Sequence, residues 1–500
     1  MEQSKAYQIG FSRPPLEVED LPEPEEVFKV SRIGFWEVVR LVIGPSLVAL
    51  GLSIGSGEYL LGPLNVASYG FVGIGWVILV SAVLQTFYNV ELARFTVATG
   101  EVPIVYFGRA PGGYLFWTPF AAFCIYMAFI WGGWTAGAGQ ALFTLFTGRV
   151  NTPQELETVR ILGIALLAGV FVLVLFGEKI SRTMELANWV MVLVIVLSVL
   201  IIAAILVPAE RWAKAFAALV TPALPPKGSD PTLLGALAGF TATASGLNFF
   251  MINYYRDKGY GMGYRVGFIA ALVGGKQEAM APTGKIFRED EANARRWRRW
   301  FRFLVIDQWV VFFIGAIIGM MVPSLIVWYL AGLPGAEKAT TANMPVYGPM
   351  ELSKHLGPVF FYWYLIVGFL ILFTTQMVVF ELLVRNVTDA LYATSSKFRN
   401  LINEDPRRFY YPYMIGLAIL IAILIHLALP TELIMISANM SNFASLFFPI
   451  ILMYLNSKLP KPAKATWWSY LVLILNVIFF GFFFLNFAWK QVTGKPIIVF

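Results

Sequence analysis

Apolar runs long enough to cross a bilayer recur along the chain, separated by short polar connectors. Eleven fall at about 36–66, 71–98, 114–147, 158–177, 186–208, 231–256, 303–331, 358–388, 409–429, 432–455 and 467–489. A helix needs roughly 20 such residues to span the hydrocarbon, so the longer runs predict tilt or interruption. A β-barrel would show short alternating segments instead. The pattern predicts an all-α polytopic membrane protein. Residues 1–35 are polar and proline-rich, without a basic start leading into an apolar core. They read as a mobile cytoplasmic tail rather than a cleavable signal. Residues 490–500 form a C-terminal tail.

Composition agrees: 58% of the 500 residues are hydrophobic and 13% charged, against about 25% charged in soluble chains. The net charge of +7 does not point to nucleic acid, because basic residues of polytopic proteins gather in cytoplasmic loops. The most basic stretch, "GGKQEAMAPTGKIFREDEANARRWRRWFR", lies between the sixth and seventh runs. It shares a side with the N-terminus, as do "RNVTDALYATSSKFRNLINEDPRR" and "NSKLPKPAK", while the other loops are mixed in charge. This predicts a cytoplasmic N-terminus and, with an odd number of spans, an outside C-terminus; a plasma (inner) membrane is expected. The "RRWRRWFR" run reads as an interfacial anchor, with a lipid-headgroup site as the alternative. One cysteine, Cys124, and two distant histidines, His355 and His426, argue against a disulfide framework or a histidine-rich metal centre. With no nucleophile motif and no nucleotide loop, neither an enzyme nor a resident cofactor is expected.

Two runs carry polar interruptions at matching places. The first reads "LVIGPSLVALGLSIGSGEYLLGPLNVA" and the sixth "TLLGALAGFTATASGLNFFMINYY". Each has an apolar half, a stretch of small and hydroxylated residues with a Ser-Gly pair, and a second apolar half. The pairs, Ser56-Gly57 and Ser245-Gly246, lie five spans apart, as a five-plus-five repeat requires (36–208 and 231–455, with 467–489 as an extra helix). Glycine and serine loosen a helix, and unwound backbone is tolerated in a membrane only where protein or a cavity satisfies it. Matched interruptions point to a transporter's central site, where freed carbonyls hold cations and half-helix N-termini hold anions. Close helix packing is the plainer reading of small residues. Glu58 outweighs it here, because a carboxylate inside a membrane is costly unless paired, protonated or solvated. The candidate site is Gly55, Ser56, Gly57 and Glu58 from the first run, with Ala242, Ser245, Gly246 and Asn248 from the sixth.

At these residues the chain resembles the Nramp family of divalent-metal transporters, which have a LeuT-type fold. The resemblance is strongest from Gly44 to Gly100, in "GPSLVALGLSIGSGEYLLGPLNVASYG" and "LQTFYNVELARFTVATG". "RFLVIDQWV", with Asp307, is similar to the start of the family's seventh helix, and "NFASLFFPIILMYLNSK" to the end of its tenth. The resemblance implies two inverted five-helix repeats plus an eleventh helix, a monomer, and a divalent metal ion as substrate. The family's Asp-Pro-Gly-Asn motif falls on Gly55, Ser56, Gly57 and Glu58, so the aspartate is missing and a glutamate stands for asparagine. Its Met-Pro-His motif falls on Ser245, Gly246 and Leu247, without thioether or imidazole. The third run, "FIWGGWTAGAGQALF", lacks the family's acidic residues.

The remaining donors, carboxylate, hydroxyl and carbonyl, suit a hard cation, with Glu58 as metal ligand. Alternatively, "SIGSGE" resembles the glycine-rich break of amino-acid transporters in the wider superfamily. The substrate would then be a small organic or anionic solute, Glu58 a coupling site or amine partner, and Trp131 and Trp134 lining residues rather than packing ones. Gln376 and Asn442 are candidates for the transport path. Gln140, Asn253 and Asn439 read as helix-packing residues. Asp307 is a candidate for the coupling or exit route, or else pairs with Arg302 or Arg299. Glu91 with Arg94, and Glu381 with Arg385, have same-helix spacing and read as structural pairs.

Overall fold

A computed structural model describes residues 6–10, 13–39, 55–175, 180–243, 245–267 and 281–498. The first part of the first expected span, 40–54, lies outside the described residues, as do Ala244 and 268–280. The apolar runs fold as helices. A π-helical turn, Gly57–Leu61, leads into α1 (Gly62–Tyr69), and α2 follows at Gly75–Thr99. The third run is two helices, α3 (Tyr114–Phe129) and α4 (Gly133–Thr147), separated at Gly132 with φ 70°. Then come α5 (Leu156–Leu175) and α6 (Ile180–Leu206).

The sixth run is visibly interrupted: α7 (Pro231–Phe240) stops, and α8 resumes at Asn248–Asp257. The basic helix α9 (Glu291–Ile306) passes through a π-helical stretch, Asp307–Phe313, into α10 (Ile314–Ala331). The remaining spans are α11 (Pro358–Thr394), α12 (Arg407–Leu424), α13 (Pro430–Ala444), α14 (Phe448–Ser457) and α15 (Trp467–Thr493). Among the described residues, eight helical stretches are long and apolar enough to cross a membrane. The last helix runs past its expected end, and the tail turns back so that the Ile497 amide donates to Asn486 Oδ1 at 2.9 Å.

Two layers frame the interruptions. α7 packs against α2, α13 and α15, and α1 against α10, while α4 packs on α5 and α11. Asn439 and Asn442 of α13 donate to the carbonyls of Thr232 (3.0 Å) and Gly235 (2.8 Å) on α7. Two side-chain amides thus stitch the helix pair together, as polar residues do where no water competes.

The described part of the N-terminal segment packs against the protein body. β1 (Glu17–Glu19) pairs in parallel with β2 (Lys285–Phe287), and Ile9, Leu16 and Leu21 are fully buried. Fully buried Arg109 donates to the carbonyls of Ile9 (3.3 Å) and Pro14 (3.0 Å) and forks onto Glu101 at 2.6 and 2.7 Å. Arg13 reaches Glu101 at 3.5 Å, and the Gly284 amide donates to it at 3.1 Å. Farther on, Trp300 of α9 donates to Pro22 O at 2.8 Å, while Arg296 and Arg299 each pair with Glu23 at 3.0 Å. Arg299 also pairs with Glu25. The reading from polar, proline-rich composition did not show that the segment's acids pair with the basic helix of the sixth-to-seventh connection. The "RRWRRWFR" run accordingly holds the chain's own N-terminus, with Trp297 and Trp300 buried beneath it.

Glu101 is the hub of this docking. Burial pushes its carboxyl up, but Arg109 and Arg13 outweigh burial and hold it near 2, from 4.5. A folded-state pKa below the unfolded one stabilises fully above pH 4.5 and loses that contribution as pH falls toward 2. Glu101→Gln removes the counter-charge of two buried guanidiniums, which typically costs about 3–5 kcal/mol. Hydrogen exchange is expected to speed up across residues 6–24 and around Lys285 while the spans stay protected. Unchanged protection of the N-terminal segment would contradict the hub role.

Candidate functional site

The two interruptions touch. A Cβ on Gly57 would sit 2.2 Å from the Phe240 carbonyl oxygen and 2.8 Å from its Cβ. Only glycine allows this approach of the first run's π turn to the end of α7. Beyond Phe240 the backbone leaves the helix: Thr241 is extended, Ala242 is left-handed at φ 72°, and Gly246 has φ 98°. Thr241 Oγ1 donates to Leu237 O at 2.7 Å, and Asn248 Oδ1 accepts from the Gly246 amide at 3.0 Å. The Asn248 side chain thereby occupies a backbone amide that the helix no longer pairs, while Thr241 adds a second bond to a carbonyl its own amide already caps.

Glu58 lies in the contact, 1% exposed. Its Oε2 accepts from the Gly55 amide at 3.0 Å, while Oε1 is buried without a hydrogen bond. The Ala242 backbone amide also bears on the carboxylate. Beside it, Ser56 Oγ accepts from the Trp134 indole N–H at 2.6 Å. A cavity of about 10 Å³ lies among Ser56, Gly57 and Glu58 on one side and Phe240, Ala242 and Leu247 on the other. Trp134 and Thr375 complete its wall. That volume is about the minimum that holds one water. Trp134 stacks on Phe240 (centroids 6.2 Å apart), which stacks on Phe129 (6.3 Å), forming an aromatic layer over the contact.

The structure separates the candidate residues into groups. Ser56, Gly57, Glu58 and Ala242 meet at the cavity, and Gly55 holds the carboxylate. Asn248 does not line the cavity. Its Nδ2 donates to Gln85 Oε1 (3.1 Å) and Asn89 Oδ1 (2.9 Å), tying α8 to α2. Ser245 turns toward Tyr88 of α2, and a Cβ on Gly246 would face Ile125 and Phe129 at 3.4 Å. Asn442 is spent on Gly235. Gln376 neighbours the lining residue Thr375 but engages Thr135, at 3.4 Å.

Asp307, fully buried, accepts from the Tyr255 hydroxyl at 2.5 Å, away from the cavity. Arg299, one of the two arginines of the alternative reading, is taken by Glu23 and Glu25. Glu91 and Arg94 form a forked pair at 2.8 Å, capped by Ser469 and Asn456. Glu381 and Arg385 lie 3.1 Å apart in a buried cluster with Asp257, Asp389 and Arg256. Trp131, in the turn after α3, donates to Met127 O and lies outside the lining. Trp134, whose plainer reading was packing, is at the site itself. Thr375 and Phe240 carry no signal that separates them from ordinary span residues. Among the described residues no three His, Cys, Asp or Glu side chains are placed to hold a metal ion, and Glu58 is the single ionisable residue of the cavity lining.

No family model matches the chain, and no curated protein does. Solved structures do. The manganese transporter of Eremococcus coleocola, in complex with an aromatic bis-isothiourea substituted compound, is 15% identical over 93% of this chain and 89% of that one, with a TM-score of 0.57. MhsT in complex with L-phenylalanine is 16% identical over 89% and 98%, with a TM-score of 0.51. Mhp1, a nucleobase-cation-symport-1 family transporter with bromovinylhydantoin bound, is 12% identical over 88% and 91%, at 0.50. These likenesses show the fold: an all-α polytopic membrane protein of LeuT type, as the sequence resemblance implied.

The contact between the interruptions is directly testable. Gly57→Ala inserts a methyl against the Phe240 carbonyl and is expected to cost about 1–3 kcal/mol, read as a lower melting temperature in detergent. Ala242→Gly relieves a left-handed alanine and is expected to be neutral or stabilising by about 1 kcal/mol. The opposite order of the two variants would contradict the geometry.

Proposed function

We propose that this chain is a secondary transporter that moves a hard divalent metal cation across the membrane by alternating access. The buried Glu58 carboxylate, set where two interrupted helices touch and holding one oxygen without a partner, carries the reading. A carboxylate out of water demands a cation or a proton. Ser56, Glu58 and the backbone carbonyls of the break around Ala242 form an oxygen-only donor set, the kind hard ions take. The small cavity suits a desolvated ion better than a solute. The neighbour that carries manganese supports the metal class.

In the proposed cycle the interrupted helices rock against the packed frame of α4 and α11. The Glu58 carboxylate exchanges the cation for a proton or a second ion, so that it never faces hydrocarbon as a bare charge. The N-terminal segment and the basic helix α9 dock together, so both lie on one side of the membrane. We place that side in the cytoplasm of a plasma (inner) membrane, with the C-terminus outside. Asp307, hydrogen-bonded by Tyr255, is the candidate exit-route acid.

A second reading, transport of a small organic or anionic solute, is favoured by the aromatic layer of Phe129, Trp134 and Phe240. Two fold neighbours were solved with L-phenylalanine or a hydantoin bound.

Uptake into proteoliposomes separates the readings. Manganese, magnesium and calcium are compared with amino acids and small anions, with and without a pH gradient. Glu58→Gln keeps the shape and removes the charge. It is expected to slow cation uptake about tenfold or more, the scale of a lost charge-assisted ligand. Metal uptake unchanged by Glu58→Gln overturns the role of Glu58, and solute uptake without metal movement overturns the cation reading.

A further inference from the structure

A much larger cavity lies away from the interruptions. It holds about 270 Å³ and lies where the N-terminal segment meets the protein body, beside the turn that leads into β2 and the end of α11. Ligand pockets begin at about 300 Å³, so this one has the size for a small, compact ligand. Two guanidiniums line it, Arg13 from the N-terminal segment and Arg399 from beyond α11, and no carboxylate does. Tyr114, Thr283, Thr394 and Ser396 add hydroxyls to the wall.

The charge there is not balanced. Arg13 and Arg109 share the single carboxylate of Glu101, which leaves one positive charge in excess. Arg13 is 5% exposed. It spends Nη2 on Glu101 and the Pro282 carbonyl and leaves Nε without a partner. Arg399 donates Nη1 to Tyr392 O at 2.7 Å and meets Glu404 only at 3.8 Å, with Glu404 itself half-exposed. Burial holds the Arg13 pKa below its ordinary value; Glu101 pushes it up, and Arg109 and Arg399 press it down again. Two arginines that repel across a hydroxyl-lined cavity match the donor pattern of a phosphate site.

We propose that this cavity binds a phosphate-bearing anion, either free phosphate or the headgroup of a phosphomonoester lipid. The anion bridges Arg13 and Arg399 and so pins the N-terminal segment to the end of α11. The site is separate from the Glu58 cavity and stands whether or not the cation reading holds.

The test uses the full chain in phosphatidylcholine nanodiscs, titrated with inorganic phosphate against chloride at equal ionic strength. Melting temperature and hydrogen exchange of residues 13–24 are the readouts. A second arm replaces free phosphate with phosphatidic acid in the disc. Saturable protection by phosphate is expected, about tenfold or more weaker in Arg399→Gln and lost in Ser396→Glu, which places a negative charge at the cavity wall. Arg13→Gln also loosens the docked segment, so Arg399→Gln and Ser396→Glu are the deciding variants. The same variant pattern with phosphatidic acid, and none with free phosphate, assigns the lipid headgroup as the source. No saturable effect from either probe, or equal effects on wild type and both variants, overturns the proposal.

Discussion

Unwound backbone inside a membrane must find partners within the protein, and the structure is arranged around that constraint. The sixth span breaks between Phe240 and Asn248, and freed groups near the break are met by neighbours. Asn248 takes up the Gly246 amide, Thr241 reinforces the end of α7, and the asparagines of α13 hold α7 by its carbonyls. The first span brings Gly57 against Phe240 with no room for a side chain. Among the buried polar atoms left without a partner is one oxygen of Glu58, the ionisable side chain of the cavity lining. The unmet demand for positive charge therefore sits where the two halves of the fold meet, which is where a moving ion is best placed to couple them.

A second constraint operates at the end of the molecule where the N-terminal segment docks. The N-terminal segment brings carbonyls to buried Arg109 and acids to Arg296 and Arg299 of the basic helix. The buried cluster of Arg256, Asp257, Glu381, Arg385 and Asp389 follows the same logic between α8 and α11. In both places a charge that would be prohibitive alone becomes tolerable through forked, multiply shared pairing.

Much of this was legible in the chain. Span positions follow from apolar runs, and the sixth-span break from "TATASG", because hydropathy and small-residue content act locally. Glu58 stood out because a lone carboxylate in hydrocarbon is conspicuous in any register. The sorting of Ser245, Asn248 and Asn442 away from the cavity was not legible, since it depends on which side of an irregular backbone each side chain leaves. Trp134 looked like filler until its indole N–H was seen on Ser56. The docking of the N-terminal segment was not legible either, because a polar, proline-rich composition is scored against water, whereas its partners lie beyond the sixth span.

That pairing also orders events during synthesis. β1 joins β2 with Glu17 opposite Lys285, so the strand pair cannot form until six spans have been made. Through that interval the start of the chain has no strand partner, and its acidic residues wait for arginines not yet translated. Closure of the strand pair thus marks the moment at which the first six spans have been laid down, and a chain stalled before Lys285 is left with an open end.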